Sequence, residues 1–371
     1  MMKGPTVIKV PEARSPKPRC RPRWAAAHWA PRGTAWLGAC MTIVLIFICA
    51  SASADPQRAY VVAPGVSPLV EQAYNGLAAI ACPTTRECVA VNAGGEDTFD
   101  PRSGKYRPRV VFVRGFADTP AVAIAGVACP TADQCTAIRY AGSVISFDPI
   151  SGKHTHFVSL VYSKRIGDLP WTSPTDLSGV ACPSATTCVA TDYSEGVAVT
   201  FDPRSPRQTV AAKITHYGDT LDQVACPSIS LCVATEVAAS VFDPLSPVAP
   251  SPEVRLAIPN GVKAVACPAV RQCTVVGDDG GYEETFDPSD LATHPSHYRL
   301  TSQALAQVAC ASLQYCVTLT HSGIALSFNP QSPRRPTRLS VGLSGDDAPE
   351  AVACPAPREC ILVGGNEAQT L

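Results

Sequence analysis

Val180-Ala181-Cys182-Pro183-Ser184-Ala185-Thr186-Thr187-Cys188-Val189-Ala190 is the stretch on which the fold turns. Two cysteines with five residues between them are entered through small apolar residues and left through a β-like run. Six relatives of this segment occur in the chain. The pairs are Cys82/Cys88, Cys129/Cys135, Cys182/Cys188, Cys226/Cys232, Cys267/Cys273, Cys310/Cys316 and Cys354/Cys360. Successive first cysteines lie 47, 53, 44, 41, 43 and 44 residues apart. A second element follows at a short interval: Phe99-Asp100-Pro101, Phe147-Asp148-Pro149, Phe201-Asp202-Pro203, Phe242-Asp243-Pro244, Phe286-Asp287-Pro288 and Phe328-Asn329-Pro330.

A period of roughly 40–50 residues built from short β-like runs is the signature of propeller blades with four strands each. The first strand is of the type Leu221 to Cys226, nearly all apolar or small. That suits an inner strand covered on both faces, where polar and apolar residues no longer alternate. The second strand starts at the second cysteine, the third ends at Phe-Asp-Pro, and the fourth is a run such as Val110-Val111-Phe112-Val113. β-branched residues, turns and prolines replace the 3.6-residue stripe that a helical solenoid requires. The sequence therefore predicts an all-β, seven-bladed propeller of four-stranded antiparallel blades over residues 55–371. Leu371 lies as far beyond Cys360 as Phe99 lies beyond Cys88, so the last blade lacks its fourth strand. An N-terminal strand, expected at Ala59-Tyr60-Val61-Val62, would complete it and remove the open sheet edges.

Residues 1–54 read as an address. Lys3, Lys9, Arg14, Lys17, Arg19, Arg21, Arg23 and Arg32 precede an apolar stretch from Ala35 to Ala50, and Ser51-Ala52-Ser53-Ala54 suits signal peptidase. Two readings stay open: a cleaved signal peptide, or an uncleaved anchor that would make the only membrane contact. Either places residues 55–371 in a secreted or cell-surface location. Of 17 cysteines, three (Cys20, Cys40, Cys49) precede Asp55, and the other 14 form the seven pairs. An exported chain keeps disulfides, so seven local bridges are expected, each stapling the first hairpin of a blade at its turn. Zinc would favour shorter spacings and a second pair nearby, so no metal or other cofactor is expected.

Net charge is −1 overall, but residues 55–371 carry 22 Lys/Arg against 30 acids, which argues against nucleic acid as a partner. Aspartate before proline starts a turn, its carboxylate accepting backbone N–H groups. No Gly-x-Ser-x-Gly elbow, His-Glu-x-x-His or dinucleotide fingerprint occurs. His154, His156, His294 and His297 read as solvated turn residues. Sorting residues by loop gives one face with Glu96, Asp97, Asp192, Glu195, Asp278, Asp279, Glu283 and Glu284, and an opposite face with Arg86, Arg102, Arg204, Arg271, Arg334, Arg335, Arg338 and Arg358. The sorting predicts a ring polarised along its axis. Candidate binding residues are Asp278, Asp279, Glu283 and Glu284 on the acidic rim, with Arg165 and Trp171 in the longest inter-blade connection.

The Asp-Pro-x-Ser-Gly-Lys turn, as in Asp100-Pro101-Arg102-Ser103-Gly104-Lys105, resembles the turn of pyrroloquinoline-quinone-type and related propeller repeats of secreted bacterial proteins. The Cys-Pro-x4-Cys element is similar to a cysteine-stapled variety found in exported repeat proteins. The tryptophan docking motif of the quinoproteins is missing, since Trp171 is the only tryptophan after Trp36. The functional expectation is a binding or scaffolding module for a protein, glycan or cell-wall component. The alternative is a polysaccharide-directed hydrolase or lyase using first-strand carboxylates such as Asp222 and Glu350 in the central funnel.

Overall fold

The computed structural model describes residues 66–68, 76–92, 95–107, 110–112, 123–155, 157–161, 176–215, 220–235, 237–259, 261–277, 279–290, 297–343, 348–365 and 367–371. These build seven four-stranded antiparallel sheets, six of them consecutive in the chain. The third blade is representative, with Leu177–Ser184, Thr187–Asp192, Val197–Phe201 and Thr209–Lys213 pairing in chain order. The first strands stand side by side around an axis. Ala79–Thr84 of blade 1 packs between Ile124–Thr131 of blade 2 and Ala351–Ala356 of blade 7, so the circle is closed.

Closure also occurs within a sheet. Val66–Pro68 pairs antiparallel with Glu367–Thr370 and becomes the fourth strand of blade 7. The closing strand is therefore a few residues later than Ala59–Val62, which lie outside the described residues, as do residues 1–54. Leu371 stands where the other blades have phenylalanine, and its N–H donates to the Cys360 carbonyl at 2.8 Å.

All seven predicted cysteine pairs are bonded, with Cα–Cα distances of 4.0–4.1 Å. Each bridge spans the hairpin between first and second strands, whose two-residue turn is set by register pairs such as Thr84↔Glu87 and Ser228↔Leu231. In four of these hairpins a serine or threonine two residues after the first cysteine accepts a backbone N–H from the turn, as Thr84 does from Arg86 at 3.2 Å. Such bridges fit an oxidising, extracytoplasmic environment. Among the described residues no helix is long and apolar enough to cross a membrane.

The staples sit at the hairpin turns as expected, and the two halves of each differ in depth. The first cysteines, Cys82, Cys129, Cys182, Cys226, Cys267, Cys310 and Cys354, are partly buried. The second cysteines, Cys88, Cys135, Cys188, Cys232, Cys273, Cys316 and Cys360, are completely buried. The second strand is the reason, since neighbouring blades cover both its faces and enclose these sulfurs in the joints. The bridges are therefore core groups, and none of the second cysteines contributes to a binding surface.

Register explains why cysteine and Phe-Asp-Pro recur together. The second cysteine lies directly opposite the phenylalanine in six blades: Cys88↔Phe99, Cys135↔Phe147, Cys188↔Phe201, Cys232↔Phe242, Cys273↔Phe286 and Cys316↔Phe328. Disulfide and ring face the preceding blade. Cys88 and Phe99 pack with Ile361 and Val363 of blade 7, and Cys188 and Phe201 with Ile138 and Val144 of blade 2. Cys135 packs with Val89 and Val91 of blade 1, Cys232 with Val189 of blade 3, and Cys273 with Val233 of blade 4. The seven apolar clusters are thus the seven blade–blade joints.

The aspartate of Phe-Asp-Pro caps its own turn, as expected. Its carboxylate accepts the N–H two residues on, at 2.9 Å from Arg102 to Asp100 and 2.8 Å from Ile150 to Asp148. Burial opposes ionisation at both, yet these turn donors hold them below the usual aspartate value. The turns also reach across joints. The Ser146 hydroxyl of blade 2 donates to the Pro203 carbonyl of blade 3, and Thr370 of blade 7 does the same to Pro101 of blade 1.

Small residues at the inner strands let the blades approach closely. A Cβ added at Gly179 would sit 3.0 Å from the Gln223 Cα and the Val224 nitrogen, which are backbone atoms of blade 4. Gly179→Val is therefore expected to cost about 1–3 kcal/mol by overpacking. Chemical denaturation reads this directly, and an unchanged midpoint would show that the joint is not closely packed there.

Candidate functional site

The second-to-third-strand connections define one end of the ring, and the site there begins with a backbone irregularity. The first strands carry a register shift one residue before their regular pairing, between Ile124/Gly126, Leu177/Gly179, Val262/Ala264 and Leu305/Gln307. A bulge takes a side chain out of the inside–outside alternation and re-aims it. In blades 3, 4, 5 and 7 the residue at this level is Ser178, Asp222, Lys263 and Glu350; in the other blades it is alanine. The geometry brings two of them together, with the Lys263 ammonium 3.6 Å from the Asp222 carboxylate across a blade boundary. Burial raises the Glu350 carboxyl above its usual value. Asp222, one of the carboxylates considered for polysaccharide chemistry, thus has a cation beside it.

Around this inner level stand exposed apolar side chains. Tyr140, Tyr193 and Val237 occupy the same place in blades 2, 3 and 4, five residues after the second cysteine, and are 45%, 39% and 65% exposed. Backbone bonds join the first two to one connection. Leu177 donates its N–H to the Tyr140 carbonyl at 3.2 Å, and Tyr193 donates to the Asp176 carbonyl at 2.7 Å. Burial, then the charges of Asp176 and Asp222, push the Tyr140 phenol up. Tyr193, Asp176, Tyr140, Asp222 and Lys263 therefore form a continuous run from the rim to the axis. The tyrosines are spaced by whole blades, so no short motif exposes them in the sequence. Aligning the repeats on the second cysteine finds them.

The acidic rim is narrower than the loop sorting predicts. Glu96, Asp97, Asp192, Glu283 and Glu284 are all buried, with Glu283 and Glu284 at 1% and 0% exposure. The reason is local. The third strands of blades 1 and 5 already begin at Gly95 and Tyr282, and the second strand of blade 3 runs on to Asp192, so these acids stand in strands covered by neighbouring blades and not in solvated loops. Blades 1 and 5 repeat one arrangement here. The Thr98 hydroxyl donates to Glu96 at 2.6 Å, and the Thr285 hydroxyl to Glu283 at 3.1 Å. On the other face of the same strand, Glu284 accepts the Ala257 N–H at 2.8 Å and fastens the connection between blades 4 and 5. Burial is the main cause that raises Glu283 to about 8 and Glu284 to about 7. Of the other candidate binding residues, Asp279 is exposed, while Arg165, Trp171 and Asp278 lie outside the described residues.

The opposite face is less basic than predicted, because several of its arginines are paired. Arg102 binds Glu359 of blade 7 through two hydrogen bonds of 2.7 and 2.6 Å, Arg204 pairs with Asp202, and Arg271 with Asp287. His154 sits in an isolated bridge with Phe147, His297 lies on an outer strand, and His156 and His294 are outside the described residues. Among the described residues no three His, Cys, Asp or Glu side chains are grouped to hold a metal ion.

Fold and site together define a disulfide-stapled seven-bladed β-propeller with an aromatic, charged rim at one end. Solved structures agree on the fold. The chain is similar to the structure titled "Crystal structure of RRP9 WD40 repeats" at 10% identity and a TM-score of 0.64, over 83% of this chain and 98% of that one. It is similar to the structure titled "Structure of U3-55K" at 11% identity and a TM-score of 0.64, over 83% and 99%. Identities this low speak to the fold alone. No protein-family profile and no curated protein matches the sequence.

Proposed function

We infer that this chain is an exported binding module that holds a protein partner against the rim formed by Tyr140, Tyr193 and Val237. Residues 1–54 take it out of the cytoplasm, as signal peptide or anchor, and residues 55–371 form the propeller. One observation carries the reading: three large side chains at one structural position in three successive blades stay exposed, beside Asp176 and the Asp222–Lys263 pair. Tyrosine supplies wide contact area with a polar tip, which suits the centre of a protein interface. Asp279 belongs to the same end of the ring and extends this surface, and Arg165 and Trp171, which precede Asp176 in the sequence, are proposed to contact the same partner.

The test is a binding screen of the purified chain against extracellular proteins, with glycan and wall-polymer arrays in parallel. A protein hit is expected to weaken at least tenfold in the Tyr140→Ser/Tyr193→Ser variant, with the far-ultraviolet spectrum unchanged. Partners on the polymer arrays alone, or full affinity in the double variant, would overturn the proposal.

A further inference from the structure

The other end of the ring carries a second surface, unrelated to the rim just described. At the tips of the first hairpins, three residues after the first cysteine, stand Ile229, Val270 and Leu313 in blades 4, 5 and 6. They are 51%, 47% and 42% exposed. Equivalent positions in a ring lie at one height, so the three tips share a plane.

Their surroundings are cationic in blade 6, where the repeat departs from its own rule. The capping residue after phenylalanine is Asn329, not aspartate, and it caps the turn equally well by accepting the Gln331 N–H at 3.0 Å. The substitution removes one negative charge without removing the cap. The same turn continues into Arg334 and Arg335, both exposed. Among the described residues, no carboxylate lies within ion-pair distance of either, whereas Arg204 and Arg271 in blades 3 and 5 are neutralised by Asp202 and Asp287. Gln272 ties tips and turn together. Its side-chain N–H donates to the Leu313 carbonyl at 2.9 Å, and its carbonyl accepts from Gln331 at 3.2 Å.

We propose that this face docks on an anionic lipid bilayer, with Ile229, Val270 and Leu313 entering the headgroup layer and Arg334 and Arg335 meeting lipid phosphates. A soluble polyanion would need the arginines but has no use for three coplanar apolar tips, and a neutral apolar partner would have no use for Arg334 and Arg335. Apolar insertion combined with basic residues is the pairing that holds proteins at charged membranes.

The experiment is hydrogen–deuterium exchange on the full chain with vesicles of phosphatidylcholine alone, or of phosphatidylcholine with phosphatidylglycerol. Local exchange at the tips reports their contact with lipid whatever residues 1–54 do. Slowed exchange at residues 229–231, 270–272 and 313–315 is expected only with the anionic vesicles. Arg334→Gln/Arg335→Gln is expected to weaken this protection roughly 30-fold in lipid concentration, from about fivefold per basic residue. Protection that is absent, that is equal on neutral vesicles, or that dextran sulfate alone reproduces would overturn the proposal. So would a double variant that is protected like the parent. Loss of protein binding at the Tyr140 rim would leave these readings unchanged.

Discussion

Reduction of the disulfides is expected to unfold the ring. Each bridge closes a loop of about seven residues, worth about 2.4 kcal/mol in the chain-entropy relation. The seven bridges together supply about 17 kcal/mol by that relation, more than the roughly 5–15 kcal/mol by which typical domains exceed their unfolded state. The staples are also packing groups, since every second cysteine is fully buried against the preceding blade. Losing one bridge through Cys182→Ala/Cys188→Ala is expected to lower stability by about 2–5 kcal/mol. Thermal unfolding followed by circular dichroism, with and without reductant, checks both. An unchanged transition in the fully reduced, alkylated chain would mean that the apolar joints alone hold the ring.

The second large effect concerns Glu283. Its folded-state value of about 8 lies above the ordinary carboxylate value of 4.5, so between these limits the native chain holds a proton that the unfolded chain has released. Stability is then fully present below about pH 4.5, falls as pH rises, and levels off above about 8. Glu284, raised to about 7, acts in the same direction over a narrower window. At about 1.4 kcal/mol per unit, Glu283 alone costs up to about 5 kcal/mol at alkaline pH. Glu283→Gln keeps an acceptor for the Thr285 hydroxyl and removes the charge. It is expected to flatten the pH profile and to raise the urea midpoint at pH 8.5 while leaving that at pH 5 nearly unchanged. A variant less stable than the parent at pH 8.5 would show that the carboxylate is better satisfied than its burial implies.

Blade number, strand order, disulfide pairing and the capped Phe-Asp-Pro turns are all legible from the repeat, because each rests on spacing that recurs along the chain. Spacing gives the partners of Cys135, Cys232 and Cys273 but not their depth, which neighbouring blades decide. The closing strand is legible as a requirement but not as an address. A three-residue edge strand at Val66–Pro68 carries almost no pattern of its own, and Ala59–Val62 is the more β-like run. The acidic rim escapes the sequence for a physical reason. In a strand covered on both faces a polar residue does not mark a turn, so Glu96, Asp97, Glu283 and Glu284 resemble loop residues while standing inside the sheets. The aspartates of Phe-Asp-Pro have the opposite effect, supplying partners that neutralise Arg204 and Arg271 on the supposedly basic face.

The hydroxyl-to-proline contact that links Ser146 to Pro203 recurs between Thr370 and Pro101, where blade 7 meets blade 1. The joint made by distant parts of the chain is thus built like the joint made by adjacent parts. A stretching force arriving at that closing joint thus meets the same kind of latch that it meets between blades 2 and 3.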